Sequence, residues 1–179
     1  KNKEIKIILF ISEPISDDKE KRGYTEKDSL NIFVNSFRKI TDSSSYYIYV
    51  MPHPRESIDK LKKTWKNLGG EKFGHVESDF SSFEMLSLAD GIVGMSSTFL
   101  YKAWLLRFPI LSLRPNNIAS NSLHYTKREN ILSITDDENS EDKILNWLKN
   151  LKKINTEKVF PRKEINMHSN SVKKIFGLL

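Results

Sequence analysis

The apolar residues of this chain fall into short runs, and between the runs they recur at helical spacing. The first run, at residues 5–11, is nearly continuous in apolar side chains, as expected for a central strand that is buried on both faces. Further strand-like runs lie at residues 46–51, 72–76, 91–95, 109–113 and 130–134. The pattern therefore predicts about six strands separated by helices.

Local capping signals mark where the helices begin and end. Thr25 with Asp28, and Ser81 with Glu84, have the spacing of a capping box, and Gly69 is typical of a residue that ends a helix. Helices are predicted over residues 26–40, 57–68, 82–88, the segment after 96, and about 141–153.

Alternating strands and helices favour the α/β class, with a Rossmann-like, mostly parallel sheet of about six strands and helices on both faces. We assign residues 1–155 to this domain, and residues 156–179 to a C-terminal extension that ends in a short helix. Right-handed crossovers place the carboxyl ends of all strands along one edge of such a sheet. The loops at that edge contain Ser12, His53, Ser78, Ser96 and Arg114.

Composition narrows the function classes. The chain has 179 residues, of which 38% are hydrophobic, and this is enough for one domain with a real core. We find no run of about 18 apolar residues and no signal-peptide pattern, so we expect a soluble, cytoplasmic protein. The net charge of +6 suits an anionic ligand but is too diffuse to indicate nucleic-acid binding.

The chain has no cysteine, which excludes disulfides, thiolate nucleophiles and cysteine-type zinc sites. Its four histidines lack the spacing of metal ligands. We therefore expect neither a metal ion nor a cofactor.

Two motifs are candidates for chemistry. His53-Pro54 follows the run at 46–51, and Ser96-Ser97-Thr98 follows the run at 91–94 and opens an amphipathic helix. A helix N-terminus offers unpaired N–H groups and about half a positive charge to an anion. The motifs are therefore predicted to form two halves of one phosphate site, although each alone is also typical of a simple turn or an N-cap.

The stretch at residues 79–113, which contains Ser96-Ser97-Thr98, and the upstream Pro52-His53-Pro54 carry a family resemblance. Together they resemble the C-terminal, nucleotide-binding half of GT-B glycosyltransferases and their sugar-nucleotide 2-epimerase relatives. The pairing of a His-Pro motif with a Ser-Ser/Thr motif looks most like the bacterial sialyltransferases, polysialyltransferases and glycerophosphotransferases. The resemblance covers roughly residues 5–150.

This resemblance implies roles for individual residues. His53 would contact the leaving-group phosphate of a nucleotide-activated sugar, as a hydrogen-bond donor or an acid. Ser96, Ser97 and Thr98 would hold the same phosphate through their hydroxyls and the amides at the helix N-terminus.

Two further residues are candidates by their position rather than by the resemblance. Ser12 follows the first strand and is expected to line the phosphate site, although a serine that opens a loop needs no ligand. Arg55 lies beside the His-Pro motif and is expected to pair with the phosphate, with a surface salt bridge as the alternative.

The resemblance also implies partners. These are a CMP-, CDP- or UDP-linked sugar, an acceptor glycan and a missing N-terminal Rossmann-like domain, with peripheral membrane association of the full-length protein compatible with the family. Only one Rossmann-like domain fits in 179 residues, so we expect a C-terminal domain that is inactive alone. Lys102 departs from many relatives, which have a ribose-binding glutamate at the comparable place.

Three function classes remain open. The first is the donor-binding domain of a glycosyltransferase in bacterial surface polysaccharide biosynthesis. The second is a sugar-nucleotide 2-epimerase-like domain, although those relatives typically have Ser-Gly-Gly and a following glutamate. The third is a non-catalytic binding module on the same fold.

Overall fold

The computed structural model describes residues 4–16, 19–40, 42–118, 131–135 and 139–152. Within these residues the chain forms one six-stranded sheet in the order β3-β2-β1-β4-β5-β6, and every ladder is parallel. The prediction of a Rossmann-like α/β domain is confirmed. The strands are β1 Lys6–Ile11, β2 Tyr46–Met51, β3 Gly74–Val76, β4 Gly91–Gly94, β5 Ile110–Leu113 and β6 Ile131–Ile134.

The helices lie between the strands, near the predicted positions. One short helix was not predicted, because its four residues lie in a segment whose polar sequence is typical of a loop. The predicted extension at residues 156–179 lies outside the described residues. The helices are α1 Lys19–Arg22, α2 Glu26–Arg38, α3 Ile58–Asn67, α4 Ser82–Leu88, α5 Thr98–Leu105 and α6 Ser140–Asn150.

The predicted capping signals form as expected. Thr25 and Asp28 make a reciprocal capping box at the start of α2, and Ser81 and Glu84 make another at the start of α4. Gly69 follows α3 with a φ of 67°, a left-handed conformation in which glycine carries no steric cost.

Strand β1 lies in the centre of the sheet and is buried on both faces. Ile8 and Phe10 belong to the core layer beneath α2, α3 and α6, whereas Leu9 and Ile11 belong to the layer beneath α4 and α5. This alternation follows from the twofold side-chain repeat of a strand. It explains why nearly every residue of β1 is apolar.

Two tryptophans are buried in the core, one in each layer. Trp65 is 2% exposed and its indole Nε1 donates a hydrogen bond to the carbonyl of Gly74 at 3.0 Å, while Trp104 is 1% exposed in the opposite layer. The hydrogen bond fixes α3 against β3 and satisfies the polar atom of a buried indole.

The strand order places a topological switch between β1 and β4. From β1 the chain builds outward through β2 to β3, and it then crosses back to add β4, β5 and β6 on the other side. Ligands of open α/β sheets bind in the crevice beyond the carboxyl ends of the strands at such a point.

Gly74→Ala tests the packing of edge strand β3. A methyl group there would lie 1.7 Å from the backbone oxygen of Ile48 on β2, so the ladder has to shift. We expect the free energy of unfolding to fall by at least about 2 kcal/mol in urea denaturation. The exposed Glu71→Ala is the control, with an expected change below about 0.5 kcal/mol; an equally small effect for Gly74→Ala would contradict this packing.

Candidate functional site

A cavity of about 350 Å³ opens at the carboxyl edge of the sheet. It is bounded by the residues that follow β1, β2 and β3 and by the start of α5. Four of the residues that the sequence singles out line it together: Ser12, His53, Ser97 and Thr98. The two motifs therefore share one cavity, as the parallel topology predicts.

The His53 ring is held by the turn that contains it. Its Nδ1 lies 3.1 Å from the backbone N–H of Arg55 and accepts that hydrogen bond, so the proton of the neutral ring is assigned to Nε2. The backbone N–H of His53 donates to Glu56 Oε2 at 3.2 Å, and the backbone N–H of Glu56 donates to the carbonyl of His53 at 2.8 Å. The turn thus presets the histidine as a donor through Nε2.

Ser12 ties the His53 turn to the central strand. Its hydroxyl donates to Glu56 Oε1 at 3.0 Å, and its backbone N–H donates to the carbonyl of Met51 at 2.9 Å. Burial raises the pKa of the Glu56 carboxyl, as does the nearby charge of Glu26, against the opposing effect of the hydrogen bonds from Ser12 and His53. Sequence reasoning missed Glu56, although it lies three residues after the histidine.

The turn between β4 and α5 is occupied by a carboxylate from the loop after β1. Glu13 Oε1 accepts hydrogen bonds from three successive backbone amides, those of Met95 at 3.2 Å, Ser96 at 2.7 Å and Ser97 at 2.8 Å. Glu13 Oε2 accepts from the Ser96 hydroxyl at 3.2 Å, and that hydroxyl also accepts from Arg22 Nη1 at 3.1 Å. Glu13 is buried, with 8% of its surface exposed.

This arrangement corrects one expectation. The amides of Ser96 and Ser97 are not open to a phosphate, because the Glu13 carboxylate already takes up the anion-binding position that they create. Ser96 is also not among the residues that line the cavity. Ser97 and Thr98 do line the cavity, and Ser97 is the N-cap of α5, whose hydroxyl accepts from the amide of Leu100.

Arg55 is exposed and is not among the cavity-lining residues. Its backbone amide, rather than its guanidinium, acts on the candidate site by holding the His53 ring. Pairing of the Arg55 side chain with a phosphate stays a prediction.

The cavity carries charge of both signs. Lys102 lines it one helical turn after Thr98, on the same face of α5. Glu77, which follows β3, lines another wall, and its pKa is lowered chiefly by a hydrogen bond from the Asp79 amide and further by His75. An anion would therefore be favoured near Lys102 and His53, and disfavoured near Glu77.

A larger cavity of about 400 Å³ lies at the opposite edge of the sheet. It is lined by residues that precede or open β5 and β6 and by the last turns of α6, among them Pro109, Ile131 and Trp147. None of the lining residues in the described part of the chain is titratable. Those residues therefore supply no acid or base.

The part of the chain that the structure describes holds no cluster of three or more acidic or histidine side chains suited to a metal ion. Among the same residues, no helix is both long and apolar enough to cross a bilayer.

No family model matches this sequence, and no curated protein matches it. Solved structures do resemble the fold. Escherichia coli ADP-heptose lipopolysaccharide heptosyltransferase II matches with a TM-score of 0.55 at 11% identity, over 83% of this chain and 46% of that one. A mutant of S. aureus TarM in complex with UDP matches with a TM-score of 0.54 at 14% identity, over 96% and 34%.

A putative UDP-N-acetylglucosamine 2-epimerase from Listeria monocytogenes matches with a TM-score of 0.53 at 13% identity, over 82% of this chain and 37% of that one. At these identities the likeness shows the fold, a Rossmann-like domain of the kind found in GT-B glycosyltransferases. The chain spans less than half of each of these three structures.

Glu56→Gln tests the bracing of the His53 turn through pH. Because the folded pKa of Glu56 is raised above 4.5, the native state binds more protons than the unfolded state in the window just above that value. Protonated Glu56 therefore stabilises the native state fully at pH values below this window. This stabilisation is lost as the pH rises through the pKa of Glu56 in the folded protein. We expect the free energy of unfolding of the wild type to fall relative to Glu56→Gln between about pH 4 and pH 7.

Urea unfolding across this pH range measures the difference. Glu84→Gln is a matched control with the opposite sign, because hydrogen bonds from Ser81 lower the pKa of Glu84. A difference between wild type and Glu56→Gln that does not change with pH would contradict the assignment.

Proposed function

We propose that this chain is the donor-binding domain of a GT-B glycosyltransferase and that the cavity at the carboxyl edge holds a nucleotide-activated sugar. The observation that carries the proposal is the meeting of His53, Ser97 and Thr98 in one cavity at the strand ends. The resemblance in sequence and the likeness of the fold to glycosyltransferases support it. The donors suggested are CMP-, CDP- or UDP-linked sugars.

In this proposal the phosphate lies between the His53 turn and the first turn of α5. His53 Nε2–H and the hydroxyls of Ser97 and Thr98 donate hydrogen bonds to it, and the ammonium of Lys102 supplies charge. Hydrogen bonds to a charged group are shorter and about twice as strong as neutral ones. Because Glu13 occupies the amides of Ser96 and Ser97, these side-chain donors take the place of those two amides.

The same groups suit the chemical step. When the bond between the anomeric carbon and the phosphate oxygen breaks, negative charge grows on the departing phosphate. Donors already in place stabilise this charge more in the transition state than in the ground state. His53 donates its Nε2–H hydrogen bond to the leaving phosphate oxygen and so stabilises this charge.

A second Rossmann-like domain would supply the acceptor glycan site and the base. The chain covers less than half of the transferase and TarM structures that it resembles. We therefore assign donor binding to this domain and glycosyl transfer to the two domains together.

A 2-epimerase-like activity is the alternative from another reaction class. The fold does not distinguish the two activities, because the Listeria protein and the heptosyltransferase resemble this chain to a similar degree. The sequence favours transfer, since Ser96-Ser97-Thr98 lacks the glycines that the epimerase relatives typically have.

Two alanine variants test the phosphate site by calorimetry with CMP, CDP, UMP and UDP. His53→Ala and Ser97→Ala should each weaken the nucleotide that binds the wild type best by on the order of 1–3 kcal/mol, the cost of a lost hydrogen bond to a charged group. Ser87→Ala, an exposed serine on α4 outside the cavity, is the control and should change nothing. Unchanged affinity in both site variants would favour the non-catalytic module instead.

Lys102→Glu tests the charge of the cavity. A lysine among the phosphate donors makes this reversal harmful, and we expect a loss of affinity of at least about tenfold. Lys63→Glu changes the charge equally on the exposed surface of α3 and should have little effect. Tighter nucleotide binding by Lys102→Glu would instead indicate that an acid at this position contacts the ribose.

A further inference from the structure

Glu13 stands where a ligand anion would otherwise bind. Three consecutive amides across a strand-to-helix turn form a concave array of donors, which is the usual way for backbone to bind a phosphate or carboxylate. Here one carboxylate oxygen of Glu13 lies 2.7–3.2 Å from all three nitrogens. The protein therefore supplies its own anion to this turn.

Glu13 also links the two strands that meet at the switch point. It follows β1, whereas the amides that it accepts from belong to the turn after β4, more than 80 residues later. Its neighbour Ser12 makes the corresponding link on the other side, through Glu56 to the His53 turn. Two adjacent residues of one loop thus hold the two halves of the candidate site.

We propose that Glu13 is a positioning residue, an internal anion that fixes the turn between β4 and α5 so that the hydroxyls of Ser97 and Thr98 face the ligand phosphate together with His53. This inference rests on the proposed function for the identity of the ligand. It further requires that the ligand phosphate sits against side chains, because the amides of the turn are already taken.

Three substitutions at Glu13 distinguish the contributions of its charge, its length and its hydrogen-bonding atoms. Glu13→Ala removes the carboxylate, and Glu13→Asp keeps the charge but shortens the reach by one methylene. Glu13→Gln keeps a side-chain oxygen that can accept from the three amides. Its NH₂ group can donate to the Ser96 hydroxyl oxygen, which has one lone pair left beside the one that accepts from Arg22. Binding should therefore survive in the glutamine variant and fail in the other two.

The first experiment is chemical rescue of the full chain by a small carboxylate. Formate fits the space that Glu13→Ala opens, so sodium formate should raise the Tm of this variant by at least about 2 °C over the same concentration of sodium chloride. Wild type should gain nothing by the same comparison. Neither should Glu141→Ala, which removes a carboxylate from α6 outside the cavity lining.

The second experiment measures calorimetric affinity for whichever of CMP, CDP, UMP and UDP binds wild type best. Glu13→Ala should lose at least about tenfold, while Glu13→Gln stays within about threefold. In the Ser97→Ala background, Glu13→Ala should cost less affinity than it does in the wild type, because both substitutions act through the Ser97 hydroxyl. A purely structural role would give additive losses. If Glu13→Ala does not fold, Glu13→Asp takes its place in the cycle.

The outcomes separate the two proposals. Wild-type nucleotide binding with an unaffected Glu13→Ala variant would overturn the positioning role and leave the proposed function standing. No nucleotide binding by wild type would remove the proposed function and the positioning role with it. Absence of rescue by formate would overturn the internal anion itself, whatever the nucleotide results.

Discussion

The parallel pairing of β1 with both β2 and β4 is the constraint on which the candidate site depends. The ladders align Ile11 with Met51 and Phe10 with Val93, so that all three strands end at one edge. The two residues that follow β1 then lie between the turns that follow its neighbours. A shift of one residue in either ladder would turn alternate side chains to the other face of the sheet and separate Glu13 from its amides.

The same constraint decides which groups lie near the cavity. Glu13 takes up the backbone amides of the β4–α5 turn inside the protein, and residues with hydroxyl, imidazole and ammonium groups line the cavity. Side-chain donors differ from backbone donors in that substitution can remove or reverse each of them, as at Lys102. The choice of ligand is consequently open to change at single positions while the fold stays the same.

The sequence predicted the strands, the caps and the shared edge because these depend on local pattern and on the handedness of crossovers. The role of Glu13 was not predictable in this way, since its partners are more than 80 residues away and depend on strand register. Arg55 shows a different difficulty. Its charge favoured a phosphate contact, whereas the geometry of the turn directs its amide to the His53 ring and makes Glu56 the brace.

One phosphate is proposed to contact both motifs, and NMR of the isotope-labelled chain, titrated with whichever of CMP, CDP, UMP and UDP binds best, tests this most directly. The His53 imidazole and Thr98 amide signals should shift together with a single dissociation constant. Signals of Asn146 and Asn150, at the cavity on the opposite edge, should not move. Shifts confined to one motif, or centred on the opposite cavity, would contradict it.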